Sequence, residues 1–358
     1  MLRVLTRRDL LSTAGALAAG VLTRSYGFAQ SASAVAASPD PMSYVNPEFR
    51  AALGPIAKMM EAVQSLNASS LMSLRQGMNM PANAPAPNPP VTEKTIPGPT
   101  GAPAVRVYVV GNSPGASKPA VLHMHGGGYV LGSASGARRD IQNLSTALDC
   151  VAVSVEYRLA PETTFPGSLE DNYAALRWMY TNAKELGIDV NRIAIKGESA
   201  GGGHAAALAI AARDRGEFPI CFQVLIYPML DDRTGSTREM PPYLGHYLWT
   251  AASNRFGWTS LLGVSAGSVA LPPNSVPARV SDLKGLPPAF IGVGSIDLFA
   301  PEDIEYAQRL LAAGVAVELN VVPGAFHAFD GIAPDASLSR EFAQAWREAL
   351  RRALTQAA

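Results

Sequence analysis

Ser199 stands in Gly197-Glu198-Ser199-Ala200-Gly201-Gly202, directly after the apolar run Arg192-Ile193-Ala194-Ile195. Glycines on both sides permit a turn sharp enough to lift one hydroxyl above the end of a strand. The helix that follows aims its unpaired amides at the same spot. A serine hydroxyl is a weak nucleophile and needs a base close by. A serine that only caps a helix would need neither the flanking glycines nor a partner, so the remaining residues decide between the two readings.

The base must be a histidine, and the chain has five. His123 lies within an apolar run. His125 opens the glycine loop His125-Gly126-Gly127-Gly128, where a fixed hydrogen bond is its expected task. His204 is placed by the helical period facing away from Ser199, and His246 falls in an irregular stretch. Only His327, in Pro323-Gly324-Ala325-Phe326-His327, combines a loop after a strand with a position beyond an acidic candidate. That candidate is Asp297, at the end of Gly294-Ser295-Ile296-Asp297. Asp303 is the rival, although Pro301-Glu302-Asp303 reads as the start of a helix. The amides of Gly127, Gly128 and Ala200 could surround a developing oxyanion. A nucleotide cradle is the competing reading of the glycines. It lacks the Gly-Lys-Ser/Thr or Gly-x-Gly-x-x-Gly that such a cradle uses, so no nucleotide cofactor is expected.

These residues need a scaffold that brings distant loops to one edge. From residue 120 onwards strands and helices alternate. The strands are expected at Ala120–Met124, Cys150–Val155, Arg192–Ile195, Cys221–Tyr227, Ala289–Val293 and Val315–Val322. The helices are expected at Arg138–Leu148, Leu169–Leu186, Ala200–Ala212, Glu302–Ala313 and Leu338–Leu354. Continuous apolar strands between helices imply an α/β fold with a mostly parallel sheet covered on both faces. Every candidate above then follows a strand end, where ligands of such sheets sit. Val91–Ile96 and Ala104–Val110 flank a Pro-Gly turn and read as an antiparallel pair at the sheet edge. Residues 39–80 look helical and carry six of the eleven methionines. Core packing is the common use of such residues, and an adaptable apolar lid is the alternative. Residues 230–285 break the alternation and read as an inserted helical segment.

Composition narrows the classes of function. Hydrophobic residues make up 48% and charged residues 16% of the 358, with a formal net charge of +0. No basic patch favours a nucleic-acid partner. Cys150 and Cys221 each open an apolar run, so a disulfide is disfavoured. Neither Cys-x-x-Cys nor His-Glu-x-x-His occurs, so no metal is expected. The first 29 residues form a separate unit. Arg7 and Arg8 precede a short apolar run at about 10–22, and Gly27-Phe28-Ala29 offers a small-x-small cleavage site. This layout is that of a twin-arginine export signal, and the run is shorter than the roughly 20 residues of a membrane span. The mature chain, 30–358, is then a single periplasmic or secreted domain.

Together these motifs resemble the hormone-sensitive-lipase-like branch of the α/β-hydrolases, the bacterial family IV esterases. The resemblance runs from about 91 to 355. It rests on His125-Gly126-Gly127-Gly128-Tyr129, Glu156-Tyr157-Arg158-Leu159-Ala160-Pro161-Glu162, Phe165-Pro166, Gly197-Glu198-Ser199-Ala200-Gly201-Gly202, Asp297-Leu298 and His327-Ala328-Phe329. It implies Ser199 as nucleophile, His327 as general base and acid, and Asp297 as its orienter. Gly127, Gly128 and Ala200 become the oxyanion donors, and 39–80 with 230–285 become a cap. It implies a small ester substrate with a short acyl chain, with lactones and acetylated sugars as alternatives and a non-catalytic receptor as a different class. The sequence departs from the family at Glu198, where Asp is usual. The longer side chain is expected to shift the turn slightly without loss of activity.

Overall fold

The structure is a computed structural model and describes residues 40–78 and 85–355. Its centre is an eight-stranded sheet. The strands are β1 Thr92–Ile96, β2 Val105–Val110, β3 Lys118–Met124, β4 Val151–Glu156, β5 Ile188–Glu198, β6 Phe222–Ile226, β7 Ala289–Gly294 and β8 Val317–Val322. Their order is β1-β2-β4-β3-β5-β6-β7-β8. β1 and β2 pair antiparallel at one edge, β2 pairs antiparallel with β4, and every pairing from β4 to β8 is parallel. The α/β architecture expected from the alternation is the one found.

Strand periodicity sends successive side chains to opposite faces. Along β4, Val151, Val153 and Val155 join one core cluster and Ala152 joins the other. The first cluster is covered by α5 (Gly167–Thr181), α7 (Ala200–Arg215) and α9 (Ala300–Ala312). The second is covered by α4 (Arg138–Leu148) and α11 (Ser337–Thr355). β6 and β7 are buried along their whole length, as continuous apolar strands should be. β8 differs from the expectation of a fully buried strand. It is the outer strand, and Leu319 and Val321 face solvent.

Three further expectations change. The helix read as Leu169–Leu186 breaks at Asn182, leaving α6 (Ala183–Leu186) as a separate turn. The strand read as Arg192–Ile195 extends to eleven residues, because β3 and β6 offer pairing partners to both of its sides. The insertion at 230–285 is mostly turns. It holds one α-helix, α8 (Ala251–Leu262), and a short 3-10 turn at Pro277–Arg279. Pro241, Pro242, Pro272 and Pro273 interrupt the rest, since proline cannot sit inside a helix without losing a hydrogen bond.

The N-terminal part forms short helices, α1 (Pro47–Leu53), α2 (Ala57–Gln64) and α3 (Leu71–Met78). Val63, Leu66 and Leu71 pack with Trp258, Leu261 and Leu262 of α8, and with Ala200, Leu298 and Phe299 at the strand ends. Two hydrogen bonds tie the parts, from Ser253 Oγ to the Val63 carbonyl (2.9 Å) and from Gln64 Nε2 to the His246 carbonyl (2.8 Å). Of the methionines, Met42 and Met60 are half-buried and pack against the core, as core packing expects, whereas Met59 and Met72 are exposed. Met80 and the apolar run at 10–22 lie outside the described residues.

Candidate active site

Ser199 separates β5 from α7 and adopts φ 56°, ψ −121°. A non-glycine residue in that region is strained by about 1–3 kcal/mol and stays there only when its surroundings fix it. Three backbone hydrogen bonds do so. The Ser199 amide donates to the Ile226 carbonyl (2.9 Å), and the Ser199 carbonyl accepts from the amides of Gly203 (3.0 Å) and Met229 (2.9 Å). The glycines on either side are required by close approach. A Cβ on Gly197 would lie 2.1 Å from the Gly201 carbonyl oxygen, and one on Gly201 would lie 2.1 Å from that of Met124.

His327 follows β8, and Asp297 follows β7. His327 Nδ1 donates to Asp297 Oδ2 at 2.8 Å, and His327 Nε2 stands 2.9 Å from Ser199 Oγ. The second oxygen of Asp297 accepts the Phe299 amide at 3.0 Å, which fixes the carboxylate. All three residues are buried. Tyr227, Phe299 and Trp249 surround the imidazole, with ring centroids 4.9, 5.2 and 6.4 Å away. Of the aromatics in the 230–285 stretch, Tyr243 and Trp249 are the ones the sequence offers as pocket lining or core packing, whereas Tyr227 and Phe299 carry no such signal by type, although both lie just past strand ends.

The loop before β8's histidine is held from the far end of the chain. The Asn46 amide donates to the Gly324 carbonyl at 3.0 Å, and Asn46 Nδ2 reaches the Pro323 carbonyl, 277 positions away. Phe49 of α1 packs against Phe326 and Phe329, with ring centroids 6.1 and 5.3 Å away.

The glycine loop sits beside the serine. A Cβ on Gly126 would come within 3.5 Å of Ser199 Cβ. Among the described residues the amides of Gly127 and Gly128 have no acceptor, and Ala200 is the first residue of α7, so its amide has no partner within the helix. Gly128 has φ +59°, and an added Cβ would strike the Trp249 indole at 2.0 Å. Trp249 is buried and is held by Asn254 Oδ1, which accepts from its Nε1 at 3.2 Å. Tyr243 lies instead at the surface, stacked on Tyr44.

The other candidates are placed elsewhere. His125 Nδ1 donates to the Gly126 carbonyl at 2.8 Å, and its ring stacks on Tyr157. Burial pushes its pKa down to about 4. His204 packs edge-on against Tyr129 and Tyr157, and burial lowers it to about 3. Both are therefore neutral near pH 7. His246 is exposed and bonds the Pro242 carbonyl. Asp303 lies inside α9, fully buried, with no partner on either oxygen. Burial and the neighbouring Glu302 raise its pKa well above the carboxylate range. Glu302 accepts the amides of Leu230 and Asp231 and so ties down the chain after β6. Cys150 and Cys221 are free thiols. Among the described residues no cluster of three His, Cys, Asp or Glu is arranged to hold a metal ion.

A strained serine between a strand and a helix, bonded to a histidine after β8 that is held in turn by an acid after β7, is the arrangement that the family match explains. The α/β-hydrolase fold family model matches residues 121–331. This chain is an α/β-hydrolase. Esterase LipI of Mycobacterium tuberculosis is 36% identical to it over 263 residues, which cover 71% of this chain and 79% of LipI. Carboxylesterase NlhH of the same organism is 38% identical, covering 66% and 74%. Among solved structures, a bacterial heroin esterase superposes with a TM-score of 0.80 at 34% identity, covering 88% of this α/β-hydrolase and all of that chain. These likenesses place the chain in the hormone-sensitive-lipase-like branch that its motifs resemble.

Proposed function

We propose that this α/β-hydrolase is a carboxylic ester hydrolase that works through an acyl-enzyme on Ser199. The observation that carries the reading is the unbroken hydrogen-bond chain from Ser199 Oγ through His327 to Asp297. Similarity to proteins named esterase and carboxylesterase supports the same class.

In this mechanism Ser199 Oγ attacks the ester carbonyl carbon while His327 Nε2 takes its proton. Asp297 holds the imidazole in the tautomer that leaves Nε2 free to accept, and it stabilises the imidazolium that forms. The carbonyl oxygen becomes an oxyanion facing the amides of Gly127, Gly128 and Ala200. Collapse breaks the bond to the alcohol, which leaves with the proton from Nε2. Water then repeats the sequence on the acyl-enzyme and releases the acid.

Trp249 stands against Gly128 and, with Phe299, beside His327, which favours a short acyl chain. A ladder of p-nitrophenyl esters from acetate to palmitate measures this directly. Turnover should peak on the short chains. A peak on palmitate would reject the short-chain assignment. No turnover on any ester, with no fluorophosphonate adduct at Ser199, would reject the hydrolase reading in favour of a receptor.

The export reading stands on residues 1–29, which lie outside the described residues. N-terminal sequencing of the protein from a periplasmic fraction should begin near Gln30. Recovery of the uncleaved chain in the cytoplasm alone would overturn it.

A further inference from the structure

Glu198 is the one position where the serine motif departs from its family, and its side chain joins a row of polar residues beneath the turn. In the parallel registers His123 of β3 lies opposite Ser154 of β4 and opposite Lys196 of β5. Strand periodicity puts these three on one face, with Glu198 two residues further along β5. Glu198 Oε2 accepts from His123 Nε2 at 2.9 Å, and its other oxygen pairs with the Lys196 ammonium. His123 Nδ1 accepts from Ser154 Oγ at 2.9 Å, so a neutral imidazole satisfies both contacts. Burial favours that neutral form by pushing the His123 pKa well down. Lys196 is buried too, and its ammonium lies 4.8 Å from the Trp346 ring centroid.

Among the described residues, this side of the turn borders open space rather than close packing. A cavity of about 1210 Å³ lies there, lined among others by Gly126, Asp140, Lys196, Glu198 and Tyr227. Packing cannot hold a strained residue from a side that is empty of packed atoms. The Glu198 carbonyl also sits against the oxyanion loop, 3.0 Å from where a Gly126 Cβ would be. A shift of Glu198 would therefore move the serine and that loop together.

The structure assigns Glu198 as a positioning residue, which holds Ser199 and the glycine loop in register through Lys196, His123 and Ser154. A shorter Asp at this position would lack one methylene of reach toward its two partners. The assignment rests on the hydrolase reading above, and the two fail differently. If wild type turns over no ester, the reading fails. The positioning role is judged only as a ratio of variant to wild type on an ester that wild type does hydrolyse.

The test is Glu198→Gln, which keeps the shape and removes the charge. A displacement of about 1 Å at a reacting group costs about 10²-fold, so kcat should fall by about that factor with KM within about twofold. The rate of fluorophosphonate labelling at Ser199 should fall in parallel. Glu198→Asp should recover only part of the loss. The double variant Lys196→Met/Glu198→Gln removes both charges of the pair, and Tyr227 still donates to Asp330, the buried carboxylate that also faces the Lys196 ammonium, so the variant should fold. Its kcat should remain as low as that of the single variant. Wild-type kcat in Glu198→Gln would overturn the assignment. So would restoration of kcat in the double variant, because the defect would then be an unpaired charge and not a lost hold on the turn.

Discussion

Ser199→Ala is expected to lower turnover by about 10⁶-fold and to leave the fold intact. The residue is buried, and its backbone is fixed by three hydrogen bonds that do not involve the hydroxyl. Removing Oγ therefore deletes the nucleophile without opening the turn. Alanine at φ 56° is strained much as serine is, so the stability change should be small. What should survive is the weak acceleration from the amides of Gly127, Gly128 and Ala200 and from substrate binding, of order 10³–10⁴ over water. The measurement is kcat/KM on the best ester of the ladder, with near-ultraviolet circular dichroism as the check on folding. A folded variant with wild-type turnover would remove Ser199 from the mechanism.

Asp297→Asn should cost about 10⁴-fold in kcat. The Phe299 amide fixes one carboxylate oxygen and His327 Nδ1 binds the other. With asparagine, an amide NH₂ turned toward Nδ1 would leave that nitrogen as the acceptor. The proton would then sit on Nε2, and the imidazole could no longer take one from Ser199. Asp303→Asn is the internal control. Asp303 bonds neither His327 nor Ser199, and burial raises its pKa well above the carboxylate range, which favours the neutral acid that asparagine resembles in shape. Its turnover should stay close to that of wild type, because neither oxygen touches the reacting atoms. If Asp303→Asn carried the large loss and Asp297→Asn did not, the acid would be the wrong one.

The sheet was readable because its inner strands are continuous apolar runs, such as Ala289–Val293, separated by helices of clear period. The helix boundary at Asn182 and the length of β5 were not, because both depend on partners far along the chain. The serine, histidine and acid could be found by asking which residues follow strands. That rule does not reach Trp249, which approaches the site from an irregular insertion whose path follows no period. It also misses the row at His123, Ser154 and Lys196. Those residues become neighbours only through the register between strands, which depends on packing across the whole sheet. Glu198 was visible as a departure, but its partners were not. The expectation that it changes little is therefore the sequence inference most exposed to the kinetic test above.

The contact between Asn46 and the Pro323–Gly324 turn ties the start of the described residues to the loop that carries His327. Ser199 and the glycine loop come from the middle, on strands that pair with one another. The histidine arrives on a loop whose seat is built partly by α1 and its cap, Asn46. Closing so long a loop is among the more entropically costly contacts in the fold. A chain cut on either side of the sheet could keep the nucleophile and still have no base to activate it. Catalytic competence thus belongs to the closed chain, and the appearance of activity during refolding would time the docking of α1 on that loop.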